Sequence, residues 1–219
     1  KPAKQALIKI IVFSLPLLSL FHYNTHATII MKTKGGDKMP DPILILPYTD
    51  EWAKEFHSIG CQLREALGNI ALRIDHIGST AVTGLAAKPV IDIQISVTSF
   101  TPLAAFKAPL ESLGLSYRAE NPDKSKRYFR EAPGDRRVHI HVRQAGSWAE
   151  QLALLFRDFL RRHPDYCRRY EQVKYELAKK YQYNRQLYTK SKESIIWEIL
   201  KQANHWSQQT GWSPANSDN

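Results

Sequence analysis

Cysteine and methionine are scarce in this 219-residue chain, at two residues each. Cys61 and Cys167 stand far apart and belong to no CxxC or CxxH pattern. That argues against a disulfide framework and against a structural zinc site. Two reduced thiols suit a cytoplasmic protein, which is the expected location. A long apolar run is missing too. The best candidate, Ile8 to Phe21, is broken by Lys9, Ser14 and Ser19. It falls short of the ~20 residues that a membrane span needs, so no membrane is expected for the domain. Internal repeats and low-complexity tracts are also lacking. Acids are outnumbered by Lys and Arg, 21 to 31, for a net charge of +10. Half of that excess lies in residues 1–39, where six lysines face Asp37 alone. The +5 left to the rest does not argue for nucleic acid, but it fits a pocket for a phosphorylated small molecule. What remains is ordinary for a globular chain: 43% apolar and 24% charged residues, enough for one domain with a core.

Residues 1–39 read as a leader. Basic residues precede Ile8–Phe21 and Thr25-His26-Ala27 comes after it, which is the layout of a signal peptide. Met31 or Met39 would equally serve as a start, making the stretch an over-extended reading frame. The enzyme-like character of the chain beyond residue 40 favours the second reading. Asp37 to Pro42 is linker-like. The expected organisation is a leader over 1–39, an α/β core over 40–146, helices over 147–206 packed on it, and a disordered tail over 207–219.

Within the core, Ile43 to Leu46 reads as a short strand or an extended lead-in. Asp50 reads as the N-cap of a helix from Glu51 to Leu67, where Trp52, Phe56, Ile59, Leu63 and Leu67 step by threes and fours. Ala71 to Ile77 and Val90 to Val97 read as strands. A helix is expected over Pro102–Leu113 despite Pro109, and a short strand over Leu115–Arg118. Arg127–Arg130 and Arg137–Arg143 form a hairpin around Pro133-Gly134-Asp135. Three amphipathic helices come next, Trp148–Arg162, Asp165–Tyr181 and Ser191–Trp206, with Asn184 to Lys190 as a separator.

The chemistry-bearing segment is the run from His76 to Asp92. Gly78-Ser79 breaks one strand and opens a helical turn, whose free N–H groups favour a phosphate. Gly78 permits close backbone approach, and the Ser79 hydroxyl can donate to a phosphate oxygen. Thr80 stands next in the same turn. On the next strand Asp92 and Gln94 share a face. A carboxylate there is the usual holder of Mg²⁺ bridging to phosphate. His139 and His141 share a face of a later strand, ~7 Å apart. Two imidazoles so placed can flank a metal or contact phosphate. His76, beside Gly78, either contacts ligand or bonds a neighbouring carboxylate such as Asp75. Of the basic residues, Lys88 stands immediately before the Asp92 strand and Arg127 opens the hairpin; the rest read as a solvated face. On the first C-terminal helix, Arg157 and Asp158 are adjacent and not expected to pair, while Arg161 extends a positive stripe.

The stretch Asp75-His76-Ile77-Gly78-Ser79-Thr80-Ala81-Val82-Thr83-Gly84-Leu85-Ala86-Ala87-Lys88-Pro89-Val90-Ile91-Asp92-Ile93 closely resembles the signature of the GrpB family. So do the Tyr48–Trp52 entry, Arg127-Tyr128-Phe129, His139-Ile140-His141-Val142, Phe156–Arg161 with His163-Pro164, and Tyr188–Lys192. The resemblance covers about residues 43 to 203. It implies a nucleotidyltransferase-like fold, a mixed β-sheet flanked by helices with a C-terminal helical extension. It also implies a nucleoside triphosphate or other phosphorylated ligand, a divalent metal (Mg²⁺ or Mn²⁺), and a dephospho-CoA kinase-like protein as a possible partner or fusion. The superfamily pattern is a Gly-Ser turn, a carboxylate–apolar–carboxylate strand and a third carboxylate on a later strand. Gly78, Ser79 and Asp92 match it. Gln94 stands at the second carboxylate place, His139 and His141 stand on the later strand, and Thr83 stands where the family commonly has proline. Asp92, His139 and His141 are thus the expected catalytic and metal-holding residues, and His76, Gly78, Ser79, Thr80, Lys88 and Arg127 the expected phosphate or nucleotide contacts. One Asp with two His suits Mn²⁺ better than a hard-cation cage would. Two functions are compatible with this set: transfer of a nucleotidyl group to an acceptor, or a module that binds nucleotide or partner without catalysis. Asp75 and Glu131 are the candidates for a compensating carboxylate.

Overall fold

Strict alternation in the segment Ile91-Asp92-Ile93-Gln94-Ile95-Ser96-Val97 decides the architecture. As strand β2 (Ile91–Val97) it turns four β-branched side chains to one side and Asp92, Gln94 and Ser96 to the other. The computed structural model describes residues 41–219, so the leader expected over 1–39 lies outside the described residues. β2 lies second in a five-stranded mixed sheet, together with β1 (Arg73–Ile77), β3 (Ser116–Tyr117), β4 (Arg127–Arg130) and β5 (Val138–Gln144). The order is β1-β2-β5-β4-β3. β2 runs parallel to β5 and antiparallel to β1, and β4 pairs antiparallel with both β5 and β3. The mixed sheet flanked by helices is the expected architecture.

Register extends the alternation of β2 across the sheet. Ile77 sits opposite Asp92, Asp92 opposite His139, Gln94 opposite His141, and Tyr128 opposite His141. One face therefore carries Ile74, Ile91, Ile93, Ile95, Phe129, Val138, Ile140 and Val142, all buried. Helices α1 (Glu51–Leu67) and α2 (Ala104–Ser112) cover that face with Trp52, Phe56, Leu63, Leu67, Phe106 and Leu110. Each fully buried aliphatic side chain contributes about 1.5–3 kcal/mol. The bounds of α1 are the expected ones, but Asp50 makes no side-chain cap bond; Thr49 Oγ1 instead accepts from the Glu51 N–H at 3.3 Å. The helix around Pro109 and the β4–β5 hairpin form as expected. Of the two readings of Ile43–Leu46, the extended lead-in is the one that forms, touching the sheet-side loop only through the isolated Leu46–Ala87 bridge.

The other face is polar, and α3 (Trp148–Arg162) covers one end of it. Ser147 caps α3 by accepting from the Glu150 N–H. Buried Glu150 then bonds Ser96 and the Gly146 N–H, while its carbonyl accepts from Gln94 Nε2 at 3.3 Å. Arg157 is buried against the sheet, 3.7 Å from Asp75 Oδ1, and donates to the His76 carbonyl. Contrary to expectation it also pairs with Asp158, at 2.8 Å, because the long guanidinium stem folds back along the helix. Arg161 donates to the Ala81 carbonyl, so no free positive stripe forms.

Helices α4 (Pro164–Lys180) and α6 (Glu193–Thr210) build a second core with α3, around Leu155, Phe159, Tyr170, Ile195 and Ile199, while α5 (Arg185–Ser191) buries Tyr188 against Ile43 and Ala178. The segment read as a separator, Asn184 to Lys190, is mostly α5; the Asn184 side chain accepts from the Leu187 N–H and starts it. Beyond α6 the expected tail lies along the outer edge of β1. Ser217 Oγ accepts from the Ile74 N–H, Asp218 accepts from the His76 N–H, and the Asn219 N–H donates to the Ile74 carbonyl. These bonds satisfy an otherwise open strand edge. Among the described residues no helix is long and apolar enough to cross a membrane.

Candidate phosphate and metal site

Where α3 leaves the polar face, three side chains converge. Their ligand atoms, from Asp92, His139 and His141, all lie within 4.8 Å of one another, the one such group of His, Cys, Asp and Glu among the described residues. Asp92 Oδ1 lies 3.0 Å from His139 Nδ1 and 3.5 Å from His141 Nε2. Burial alone would raise the Asp92 pKa, but the two imidazole hydrogen bonds outweigh it and hold the carboxyl well below the usual range. Burial, with Lys126 nearby, pushes the His141 imidazole down to about 4 against the pull of Asp92. His141 is therefore neutral at pH 7, the form that ligates metals. His139 Nε2 and His141 Nδ1 are buried without a hydrogen-bond partner. Tyr128 lies over both rings, 5.7 and 5.2 Å away. One carboxylate oxygen and two imidazole nitrogens fit Mn²⁺ or another transition ion better than Mg²⁺, which prefers oxygen ligands.

The Gly78-Ser79 turn abuts this group. Gly78 has φ +72°, and a Cβ there would fall 2.7 Å from Asp92 Oδ2. Glycine is thus required both by the backbone and by contact with the carboxylate. A 3-10 turn over Ser79–Ala81 comes next. Lys88 stands near Asp92; burial first, then Lys192, lowers its pKa to about 8. Lys88 and Lys192 lie against the same Tyr188 ring, at 5.2 and 4.8 Å. Lys174 is buried, donates to the Ala86 carbonyl, and is pushed by burial down to about 7. Burial raises the Tyr170 phenol to about 12, with a hydrogen bond to Ser79 acting against it.

Of the residues singled out in the sequence, Asp92, His139, His141, Gly78, Ser79 and Lys88 come together. His76 and Thr80 do not join the cluster. Alternation along β1 puts His76 on the apolar face, stacked 4.7 Å from Phe56, with Nε2 3.0 Å from Thr80 Oγ1. Burial lowers its pKa to about 3. Thr80 in turn donates to the Val90 carbonyl, so the pair ties the turn to the sheet. Arg127 lies over Phe100 at 4.2 Å, at the far edge. Neither candidate compensating carboxylate reaches Asp92: Asp75 is taken by Arg73 and Glu131 by Arg130. Tyr128, Tyr170, Lys174, Tyr188 and Lys192 join the surroundings of the site without being among the expected contacts. Tyr128, Tyr188 and Lys192 fall in segments that carry the family resemblance, and Tyr170 and Lys174 in a Tyr- and Lys-rich helix, but neither signal tells which side chains turn inward.

Known proteins resemble this chain over most of its length. The GrpB family, described as GrpB protein, matches residues 42–202. A UPF0157 protein of Pseudomonas aeruginosa is 38% identical over 74% of this chain and 68% of its own length. A dephospho-CoA kinase of Mycolicibacterium paratuberculosis is 31% identical over 79% of this chain, which spans 49% of that protein. The crystal structure of a conserved protein GrpB from Enterococcus faecalis is similar at TM-score 0.68 and 30% identity, covering 74% of this chain and 99% of that one.

Proposed function

The chain belongs to the GrpB family, and we propose that the open end of its polar sheet face binds a nucleoside triphosphate with a divalent metal and transfers the nucleotidyl group to an acceptor. The observation that carries this reading is the contact between Gly78 and Asp92, which sets a phosphate-binding turn directly against a metal-binding carboxylate. Ser79 and the turn's N–H groups hold phosphate oxygens, and Lys88, Lys192 and Lys174 offset their charge. Asp92, His139 and His141 hold the cation, which when bound neutralises charge developing on the phosphates. In the transfer, an acceptor oxygen bonds to the α-phosphorus, the bond to the bridging oxygen breaks, and pyrophosphate leaves with the electron pair. The acceptor proton passes to solvent.

A second reading rests on Gln94. It is buried at the place of a second carboxylate and tied to α3 through the Glu150 carbonyl. A site with one carboxylate supports nucleotide binding without transfer, as a module serving another protein. The dephospho-CoA kinase relative, about half of which this chain spans, is the kind of larger protein that would use it.

The test is the melting temperature of the full chain with each nucleoside triphosphate, with and without Mg²⁺ or Mn²⁺, beside Asp92→Asn. The expected result is a metal-dependent rise, larger with Mn²⁺, that is absent in Asp92→Asn. No rise with any triphosphate, or an equal rise in the variant, would refute the site. Binding without pyrophosphate release in the presence of a mixed acceptor pool would favour the module.

A further inference from the structure

The β3–β4 edge of the sheet holds a second concentration of positive charge, sharing no residue with the Lys88, Lys174 and Lys192 group. A cavity of ≈ 320 Å³ opens where the chain turns between these strands, lined in part by Tyr117, Arg118, Asn121, Lys124, Lys126 and Arg127. Its size is at the lower end of the ~300–1,000 Å³ range of small-molecule pockets. Four cations line it and no carboxylate does, with Asp123 behind the wall pairing Lys126 at 3.5 Å and leaving Arg118, Lys124 and Arg127 as the excess charge. The wall is braced from behind. Asn121 Oδ1 accepts from the Asp123 N–H and Asp123 Oδ1 from the Ser125 N–H, both at 3.0 Å. The Arg127 guanidinium lies on Phe100 and donates to the Lys124 carbonyl. Such bracing lowers the ordering cost of binding.

Lys126 connects this cavity to the Asp92 cluster. By strand alternation it shares the polar face with Tyr128, and its Nζ lies 5.0 Å from that ring. The same ring lies 5.2 Å from His141. Two residues beyond His141 on that face, Arg143 has a buried Nε with no partner.

We propose that the β3–β4 cavity is an anion-binding subsite for a small acidic molecule, the acceptor that meets the triphosphate at the Asp92 cluster. The word acceptor rests on the transferase reading above; the binding of an anion does not. A reaction between two anions needs a cationic seat for each, and the cluster is flanked by two. The cavity is too small for a folded partner.

Inorganic phosphate is the probe, titrated calorimetrically into the full chain at low ionic strength. Lys124 is exposed, so Lys124→Glu should fold normally. It should weaken phosphate binding about tenfold and leave triphosphate affinity within about twofold. Because phosphate also fits the Ser79 end, the titration is repeated on Lys192→Ala, where the Lys124-dependent binding should persist. Phosphate binding unchanged in both Lys124→Glu and the Arg118→Glu/Lys124→Glu double variant would overturn the proposal, whatever the triphosphate does. Lys124-dependent phosphate binding in a chain that binds no triphosphate would support the subsite while refuting the transferase reading.

Discussion

The two faces of one sheet are held by different physics. On the α1 and α2 side, Ile91, Ile93, Ile95, Ile140 and Val142 meet other apolar side chains, and burial itself is the stabilising term. On the α3 side the same strands present Asp75, Asp92, Gln94, Ser96, His139, His141 and Arg143, where burial costs unless each group finds a partner. At the covered end Glu150 and Arg157 supply most of those partners, leaving Gln94 Oε1 and Arg143 Nε without one. At the other end Asp92, His139 and His141 bond one another, keep 29%, 19% and 14% of their side-chain exposure, and leave two ring nitrogens unpartnered. The imidazole bonds hold the carboxylate in place, and the unpartnered nitrogens leave the cluster open to meet something else. Stability and chemistry thus alternate residue by residue along β2.

Neighbouring substitutions on β2 test that separation most strongly. Ile93→Ala should cost about 2–5 kcal/mol in urea unfolding. Asp92→Asn, one residue away on the opposite face, should cost less than Ile93→Ala at pH 7 while removing metal-dependent binding. Equal destabilisation by the two would break the comparison.

The next effect is at the turn. Gly78 and Gly84 both have positive φ, +72° and +79°. A Cβ at Gly84 would meet nothing within 4 Å, whereas one at Gly78 would strike Asp92. Both alanine variants should lose about 1–2 kcal/mol of backbone free energy. Only Gly78→Ala should lose metal-dependent triphosphate binding as well, read as the melting-temperature rise. If Gly84→Ala abolishes that rise equally, the Asp92 contact is not what makes Gly78 special.

Much of this division is readable in the amino-acid sequence, because period-two alternation is local. The Asp92/Gln94 face, the His139/His141 face and the Gly78-Ser79 break all follow from spacing alone. His76 groups with the ligand contacts in sequence because it adjoins Gly78. A residue next to a turn is on either face of its strand, however, and the packing of Phe56 puts it inside. The inward turn of Lys174 and Lys192 escapes a sequence reading for the converse reason. Only tertiary packing brings Lys192, at the start of α6, toward Asp92, and buries Lys174 of α4 against the Ala86 carbonyl. Arg157 and the tail depart from expectation because their partners, Asp75 and Asp218 for Arg157 and the β1 edge for the tail, lie far away along the chain. Long-range polar pairing leaves no periodic trace.

The smallest effect compares one histidine from each face. Burial holds His76 at about 3 and His141 at about 4, both below the value of 6.5 expected of an unfolded chain. Between the folded and unfolded values the unfolded chain binds more protons, so stability rises with pH there and falls on acidification below about 6.5. Each ring adds at most ~1.4 kcal/mol per pH unit to that slope. Carboxylates, with unfolded values near 4, add most of their effect lower down, so pH 6.5 to 5 isolates the imidazoles. His76→Gln and His141→Gln should each flatten the slope of unfolding free energy against pH in this window. At pH 7 the two should part: His76→Gln loses the Phe56 stack and the Thr80 bond and destabilises, while His141→Gln leaves the apolar core untouched. A slope that neither variant alters would mean that the rings are not held neutral by burial, and that the two faces are less different than their side chains imply.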